Sequence, residues 1–513
     1  MLSKVITASI NGMEARLVDV EIDVARGLPN TNIIGLGDAT VKEAAARIRS
    51  SIIASNFDFP NGRITINLAP AWLRKKGSHF DLAMGIGILI SSGQVSANKI
   101  KGFGFLGELS LNGDVNRCKG IMPMVKALRN SGIYKVIVPQ GNFEEASLVE
   151  GVEVFGARSI TDVAAYLNNQ DNSLITKKDK PMKESIGVNS VAGGIKEFPL
   201  DYSDIKGQEH AKRAMIIAAA GGHGILMSGS PGTGKTMMAE RLPYIMPPLT
   251  QEEILELTSI YSVAGLLDET RTVIRERPFR NPGTSVTVPG LMGSGVPPVP
   301  GEISLAHKGV LFLDELGERS RDIIDCLRIP MESKVVVLNR RGETYRYPAD
   351  FMFVAATNPC KCGHYGDPRK ECTCSAVELQ AYRSKLSGPM QGRIDIHVEL
   401  ASPEFGELSG SKGKSSKEMR EEIIRAREVQ RKRSASGKCF LNSHIPESLI
   451  DDICKMDRDG EDFLGKAYDT MNLNPRSAKK VKKVSRTIAD IEGEKLIGVR
   501  HLAEALQYRE KNK

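Results

Sequence analysis

Residues Gly229-Ser230-Pro231-Gly232-Thr233-Gly234-Lys235-Thr236 set four free positions between a glycine and a Gly-Lys-Thr triplet. Such a loop turns successive backbone N–H groups onto phosphate oxygens, and the helix that follows adds its partial positive charge. In that chemistry Lys235 reaches the β- and γ-phosphates and the Thr236 hydroxyl ligates Mg²⁺, so ATP and Mg²⁺ are the expected ligands. The apolar run Ile225-Leu226-Met227 before the loop reads as a short buried strand. Met237 to Leu242 after it reads as a helix stopped by Pro243.

Two further carboxylates stand where such a loop needs them. Gly309 to Leu313 reads as a buried strand that ends in Asp314-Glu315. Its end delivers Asp314 to hold Mg²⁺ and Glu315 to act as general base on the attacking water. The strand Phe351 to Ala356 ends in Thr357-Asn358, placing an amide where it can orient that water. Cys360, Cys362, Cys372 and Cys374 can make a tetrahedral sulfur site for Zn²⁺, with packed thiols as the alternative reading and His364 as a substitute ligand. Val335 to Tyr347 reads as a β-hairpin with Arg340 and Arg341 at its tip.

The elements that must carry these residues suggest an α/β chain in several parts. In residues 1–167 the strands Val18–Ile22 and Arg63–Leu68 alternate with helices over Thr40–Ala54 and Phe80–Ile90. Residues 168–198 read as a polar linker. Residues 199–400 read as a doubly wound ATPase core that includes the cysteine cluster at 360–374, and 401–513 as a helical lid. Within the core, the Pro- and Gly-rich stretch Arg277 to Gly301 reads as a long loop without structure. Within the lid, Val481, Val484 and Ile488 form an apolar stripe beside a basic one of Arg476, Lys479, Lys480 and Lys483, which fits a solvated face as well as a nucleic-acid contact.

The 513 residues are 41% hydrophobic, enough for two or three cores, and the net charge of +8 permits a nucleic-acid partner. With 5% aromatic residues, base stacking is not expected to dominate binding. No apolar run is long enough to cross a bilayer, and a cytoplasmic protein without a membrane partner is expected.

Two resemblances add to this reading. The stretches Gly77 to Met84, Gly107 to Val115 and Gly132 to Pro139 resemble the proteolytic domain of Lon-type proteases. That family's Ser–Lys dyad falls here on His79 and Met122, and Ser78 and Lys119 are out of register, so a non-catalytic scaffold is expected. The second resemblance spans nearly the whole chain. Gly35 to Ala39, Asn67 to Pro70, Arg277 to Arg280, Pro300 to His307, Gly309 to Glu315, Asn358-Pro359-Cys360, Ser387-Gly388-Pro389 and Arg486 to Asp490 resemble the ComM/YifB group of magnesium-chelatase-like AAA+ ATPases.

That resemblance implies a homohexameric ring with ATP at subunit interfaces. It implies a branch-migration helicase acting on single-stranded and branched DNA during natural transformation. It makes Arg393 the arginine finger given to a neighbour, Arg476 the sensor arginine of the lid, and the Arg340/Arg341 hairpin the DNA-contacting hairpin of the pore. The alternatives are a chelatase-type motor for metal insertion into a tetrapyrrole, or an ATP-dependent protease. Two departures stand out: Gly283-Thr284 replaces the family's paired histidines, and Gly392 replaces the aspartate before the finger arginine.

Overall fold

Alternation of apolar and polar side chains over residues 2–25 makes a long hairpin, Leu2–Asn11 paired antiparallel with Glu14–Ala25 from Leu2↔Asp23 to Asn11↔Glu14. It is the centre of a seven-stranded mixed sheet in the order Asn30–Ile34, Arg63–Ala69, Glu14–Ala25, Leu2–Asn11, Phe103–Phe105, Lys135–Pro139, Glu153–Ala157. Helices Ala39–Ala54 and Asp81–Ser91 bury Val41, Ile48, Leu82 and Ile86 against Val18, Val20 and Ile22 on one face. Helix Ile121–Asn130 buries Met124 and Leu128 in a separate cluster with Ala8 and Val136. The computed structural model describes residues 2–170, 174–176, 199–367, 369–385, 388–401, 413–433 and 441–509; the expected linker therefore lies mostly outside the described residues.

The second sheet is wholly parallel, in the order Phe279–Arg280, Val310–Leu313, Met352–Thr357, Ile225–Ser228, Ile396–Glu399. Its three middle strands are buried at nearly every position, as a sheet covered by helices on both faces requires. Register sets the site: Ser228 pairs with Thr357, and Leu313 with Ala355. The strands therefore end together, and Gly229, Asp314 and Asn358 leave the same carboxyl edge. The C-terminal helices Ser416–Arg433, Pro475–Glu492 and Val499–Gln507 share one buried cluster with helix Glu209–Gly221 of the sheet layer.

Three local expectations are corrected. The helix after the phosphate loop runs Lys235–Ile245, with Pro243 inside its last turn. A proline there removes the N–H that would bond Ala239 O, a single bond of the last turn, and Met246 N–H still bonds Leu242 O. The stretch from Arg277 to Gly301 is not structureless. Phe279–Arg280 is the edge strand, Val288–Met292 is a helix capped by Thr287, and Gly293–Gly295 pairs with Pro298–Pro300. The basic stripe of the last long helix is engaged within the chain: Lys479 meets Glu447, Lys480 donates to Gln391 O and Ile394 O, and Lys483 to Ser443 O.

A candidate nucleotide site with distant arginines

The loop Gly229–Thr236 needs its glycines. A Cβ on Gly229 would stand 2.5 Å from Leu400 O, and Gly234 at the helix start has φ 88°. Lys235 is buried; its Nζ donates to Gly229 O at 2.6 Å, Ser230 O at 3.0 Å and Asn358 Oδ1 at 3.2 Å. Burial lowers its pKa and Asp314 opposes that shift. Thr236 Oγ1 donates to Asp314 Oδ2 at 2.9 Å. A hydroxyl and a carboxylate so close are hard oxygen ligands that fit Mg²⁺.

Glu315 follows in the left-handed region at φ 51° and is exposed. That conformation is costly for a residue with a Cβ and is held by its surroundings. Glu315 N–H bonds Asp314 Oδ1 at 2.8 Å, and the buried Arg319 donates to Asp314 O. Arg319 also donates to Pro282 O and Gly283 O, so the loop that lacks the family's histidine pair is tied to the carboxylate turn by its backbone. Sequence reasoning missed Arg319; nothing in its local pattern marks it. Tyr382, also missed, bonds Thr357 Oγ1 at 3.2 Å and packs under Gly317, backing both carboxyl-edge turns.

The four cysteines come together beside this loop, with sulfurs 3.3 Å (Cys360–Cys362), 3.7 Å (Cys360–Cys372) and 3.6 Å (Cys362–Cys372) apart and all four within 4.8 Å. Ligands about 2.3 Å from a tetrahedral Zn²⁺ stand about 3.8 Å from each other, so the donor set and its size fit zinc. Backbone N–H groups of His364 and Thr373 hold Cys362 down at about 5. Gly363 lies against the Pro231 ring, and Asp367 bonds Ser230 and pairs with His364. The cluster thus rests on the phosphate loop.

Arg393 and Arg476 are elsewhere. Arg393 precedes strand Ile396–Glu399, at the amino edge of the sheet, with Asp395 N–H bonded to Gly224 O. Four residues of strand, roughly 13 Å, separate that edge from the phosphate loop. Both guanidiniums take the same oxygen, Glu332 Oε1, Arg393 at 2.9 Å and Arg476 at 3.2 Å. The structure therefore joins Arg476 to Arg393 and not to the chain's own Lys235. Asp395 behind them meets the buried His223 at 2.9 Å, whose other nitrogen meets Thr487 of the lid at 2.8 Å. The hairpin is as expected: Val335–Arg340 pairs with Glu343–Pro348, and Arg341 (φ 48°) and Gly342 (φ 79°) make the two-residue turn. Arg340, Arg341 and Arg346 are exposed while Tyr345 and Tyr347 face inward.

The Lon-like positions hold no dyad. His79 is buried and its pKa falls to about 4 through desolvation. Met122 is buried, and its sulfur accepts from Ser259 Oγ at 3.1 Å. Ser78 bonds Glu108, and Lys119 lies over Gly265.

Residues 201–408 match the family model described as magnesium chelatase, subunit ChlI. Residues 20–142 match subunit ChlI of Mg-chelatase, and residues 413–509 its C-terminal part. The chain is 40% identical to competence protein ComM of Haemophilus influenzae over 97% of this chain and 95% of that protein. It is 38% identical to YifB of Escherichia coli over 99% and 97%. It is 26% identical to the magnesium-chelatase 38 kDa subunit of Rhodobacter capsulatus over 50% and 68%. No helix among the described residues is long and apolar enough to cross a membrane. With three family models in order and near end-to-end similarity to ComM and YifB, the chain belongs to the ComM/YifB group of the magnesium-chelatase-like AAA+ proteins.

Proposed function

We propose that this protein is an ATP-hydrolysing ring motor that drives branch migration of DNA and promotes integration of incoming single strands. The observation that carries the reading is the separation of parts. The phosphate cradle and Asp314-Glu315 lie at one sheet edge, and Arg393 with Arg476 at the other. One protomer then binds ATP and its neighbour completes the site, which fits a homo-oligomeric ring, expected to be a hexamer. The name of the Haemophilus relative, a competence protein, supports the DNA assignment.

In this reading Gly229–Thr236 binds the phosphates and Lys235 leaves its carbonyl partners for phosphate oxygens. Mg²⁺, held by Thr236 and Asp314, supplies charge neutralisation there. Glu315 takes the proton of the attacking water and Asn358 orients that water. Arg393 offsets the charge that develops on the neighbour's phosphoryl group, with Arg476 beside it. The cysteine cluster holds Zn²⁺ as a structural knuckle. Arg340 and Arg341 meet DNA at the hairpin tip. Residues 1–167 act as a non-catalytic domain, 199–400 as the motor and 401–513 as its lid, in the cytoplasm.

The test is ATP turnover with and without forked DNA, together with migration of a three-stranded junction. Hydrolysis stimulated by DNA with junction movement is expected, and Arg340→Ala with Arg341→Ala should weaken DNA binding and flatten its salt dependence. Hydrolysis without migration would remove the DNA assignment. The chelatase-type motor is favoured by the chelatase family models and by the partial match to the 38 kDa subunit, and copurification of a tetrapyrrole-binding partner would support it.

A further inference from the structure

Trp72 is the only tryptophan of the chain, and it is 65% exposed. It sits in the loop after strand Arg63–Ala69, where Leu73 and Lys75 are buried and Trp72 and Arg74 point outward. The loop is pinned. Lys75 N–H bonds Leu36 O at 3.2 Å, Lys75 Nζ bonds Pro70 O, and Leu73 N–H bonds Pro70 O at 3.2 Å. The outward pose of Trp72 is therefore built in by its neighbours.

The Arg16 guanidinium lies 5.2 Å from the Trp72 ring centroid. Arg16 is exposed and stands opposite Ser9 in the first hairpin, and Ser9 Oγ donates to Arg74 O at 3.5 Å. The tip of that hairpin reaches the second one: a Cβ on Gly12 would stand 3.2 Å from Tyr345 Cδ1 and 3.7 Å from the Tyr347 hydroxyl. Met13 packs on the cluster that holds Tyr345, and the Arg74 charge acts on the Tyr345 hydroxyl. Trp72, Arg16 and Arg74 are thus continuous with the hairpin that exposes Arg340, Arg341 and Arg346. The acidic groups in the strip are Glu14, exposed at the first tip, and Glu343, which accepts from Tyr345.

We propose that this strip is a single-stranded nucleic-acid track, with Trp72 stacking an unpaired base, Arg16 and Arg74 taking the flanking phosphates, and the strand running on to the Arg340/Arg341 hairpin. It rests on the DNA reading above and extends it to the first unit of the chain. An outward aromatic face flanked by guanidiniums suits unpaired bases, because a duplex keeps its base faces stacked inside.

The sole tryptophan is its own reporter. Full-length protein is titrated with unlabelled oligothymidylate while tryptophan emission is followed, and affinity is measured in parallel by anisotropy of a labelled oligonucleotide. Saturable quenching is expected, weaker as salt rises. Trp72→Ala should weaken single-strand affinity about tenfold at unchanged melting temperature, and Trp72→Phe should recover most of the loss. Single-strand binding with unaltered emission and a wild-type Trp72→Ala affinity overturns the track and leaves the DNA motor standing. So does emission that shifts with protein concentration and not with DNA, which marks a protein interface, or quenching by duplex alone. No anisotropy change with any DNA overturns both.

Discussion

Arg393 and Glu332 are 2.9 Å apart, and Glu332 sits in the short helix Arg328–Ser333 that leads directly into the arginine-tipped hairpin. The arginine that faces away from its own phosphate loop is thus held by the base of the element expected to touch DNA. Arg393→Ala should keep nucleotide affinity and lose turnover about a thousandfold. Mixed with Lys235→Ala protein, it should regain activity, because some interfaces then carry both an intact loop and an intact arginine. Mixed rings as inactive as their parents would place Arg393 outside the neighbour's site.

The two ends of the loop chemistry separate by mutation. Lys235→Ala should abolish ATP binding, measured with a fluorescent nucleotide. Glu315→Gln should bind ATP and fail to release phosphate, since the Glu315 side chain is exposed while Lys235 is buried and bonded to the loop carbonyls. Equal nucleotide affinity in wild type and Lys235→Ala would count against the cradle.

Metal analysis of freshly purified protein should give one zinc per chain, lost in Cys372→Ser with Cys374→Ser. Because Gly363 leans on Pro231 and Asp367 bonds Ser230, zinc removal should also weaken nucleotide binding. Substoichiometric traces of zinc would end the proposal, and full loss of zinc with unchanged nucleotide affinity would make the cluster a separate structural unit.

Folding holds His79 neutral, with a pKa near 4 against 6.5 unfolded. Its contribution is complete above pH 6.5 and is lost as pH falls toward 4, on the order of 3 kcal/mol in all. Asp81 and Glu145, raised by burial to about 6 and about 7, act in the opposite direction, so the wild-type curve is a sum. The informative quantity is the difference: His79→Gln should gain stability relative to wild type as pH drops from 6.5 to 4 in thermal melts. A flat difference would show that His79 titrates normally.

Ser78→Ala should change neither ATP hydrolysis nor casein, which the wild type should leave intact, since the Ser78 hydroxyl is bound to a carboxylate and not to a base of the Lon type. Casein cleavage that vanishes in Ser78→Ala would restore a peptidase.

The convergence of Lys235, Thr236, Asp314 and Asn358 was legible because each ends or follows a short apolar run, and parallel strands bring such ends to one edge. The cysteines were legible by type alone. Glu332, Arg319 and the His223–Asp395 pair were not, because each acts through partners that no local spacing encodes. Arg476 is assigned by the family resemblance alone, and its place beside Arg393 follows from how the C-terminal helix docks, which depends on the cluster shared with helix Glu209–Gly221. The stretch after Arg277 reads as a loop because its prolines and glycines mask strands of two or three residues, too short to show alternation.

Met122, sealed under Ser259, has a mechanical side. Gly120 N–H bonds Ser262 O and Lys126 Nζ bonds Ser259 Oγ along the same seam, and Gly12 meets Tyr345 at another. These two seams fasten the first sheet to the second unit among the described residues. If the proposed motor pulls on the hairpin, that sheet is carried as ballast, and an insertion at either fastening should uncouple stroke from load without touching a phosphate-binding atom.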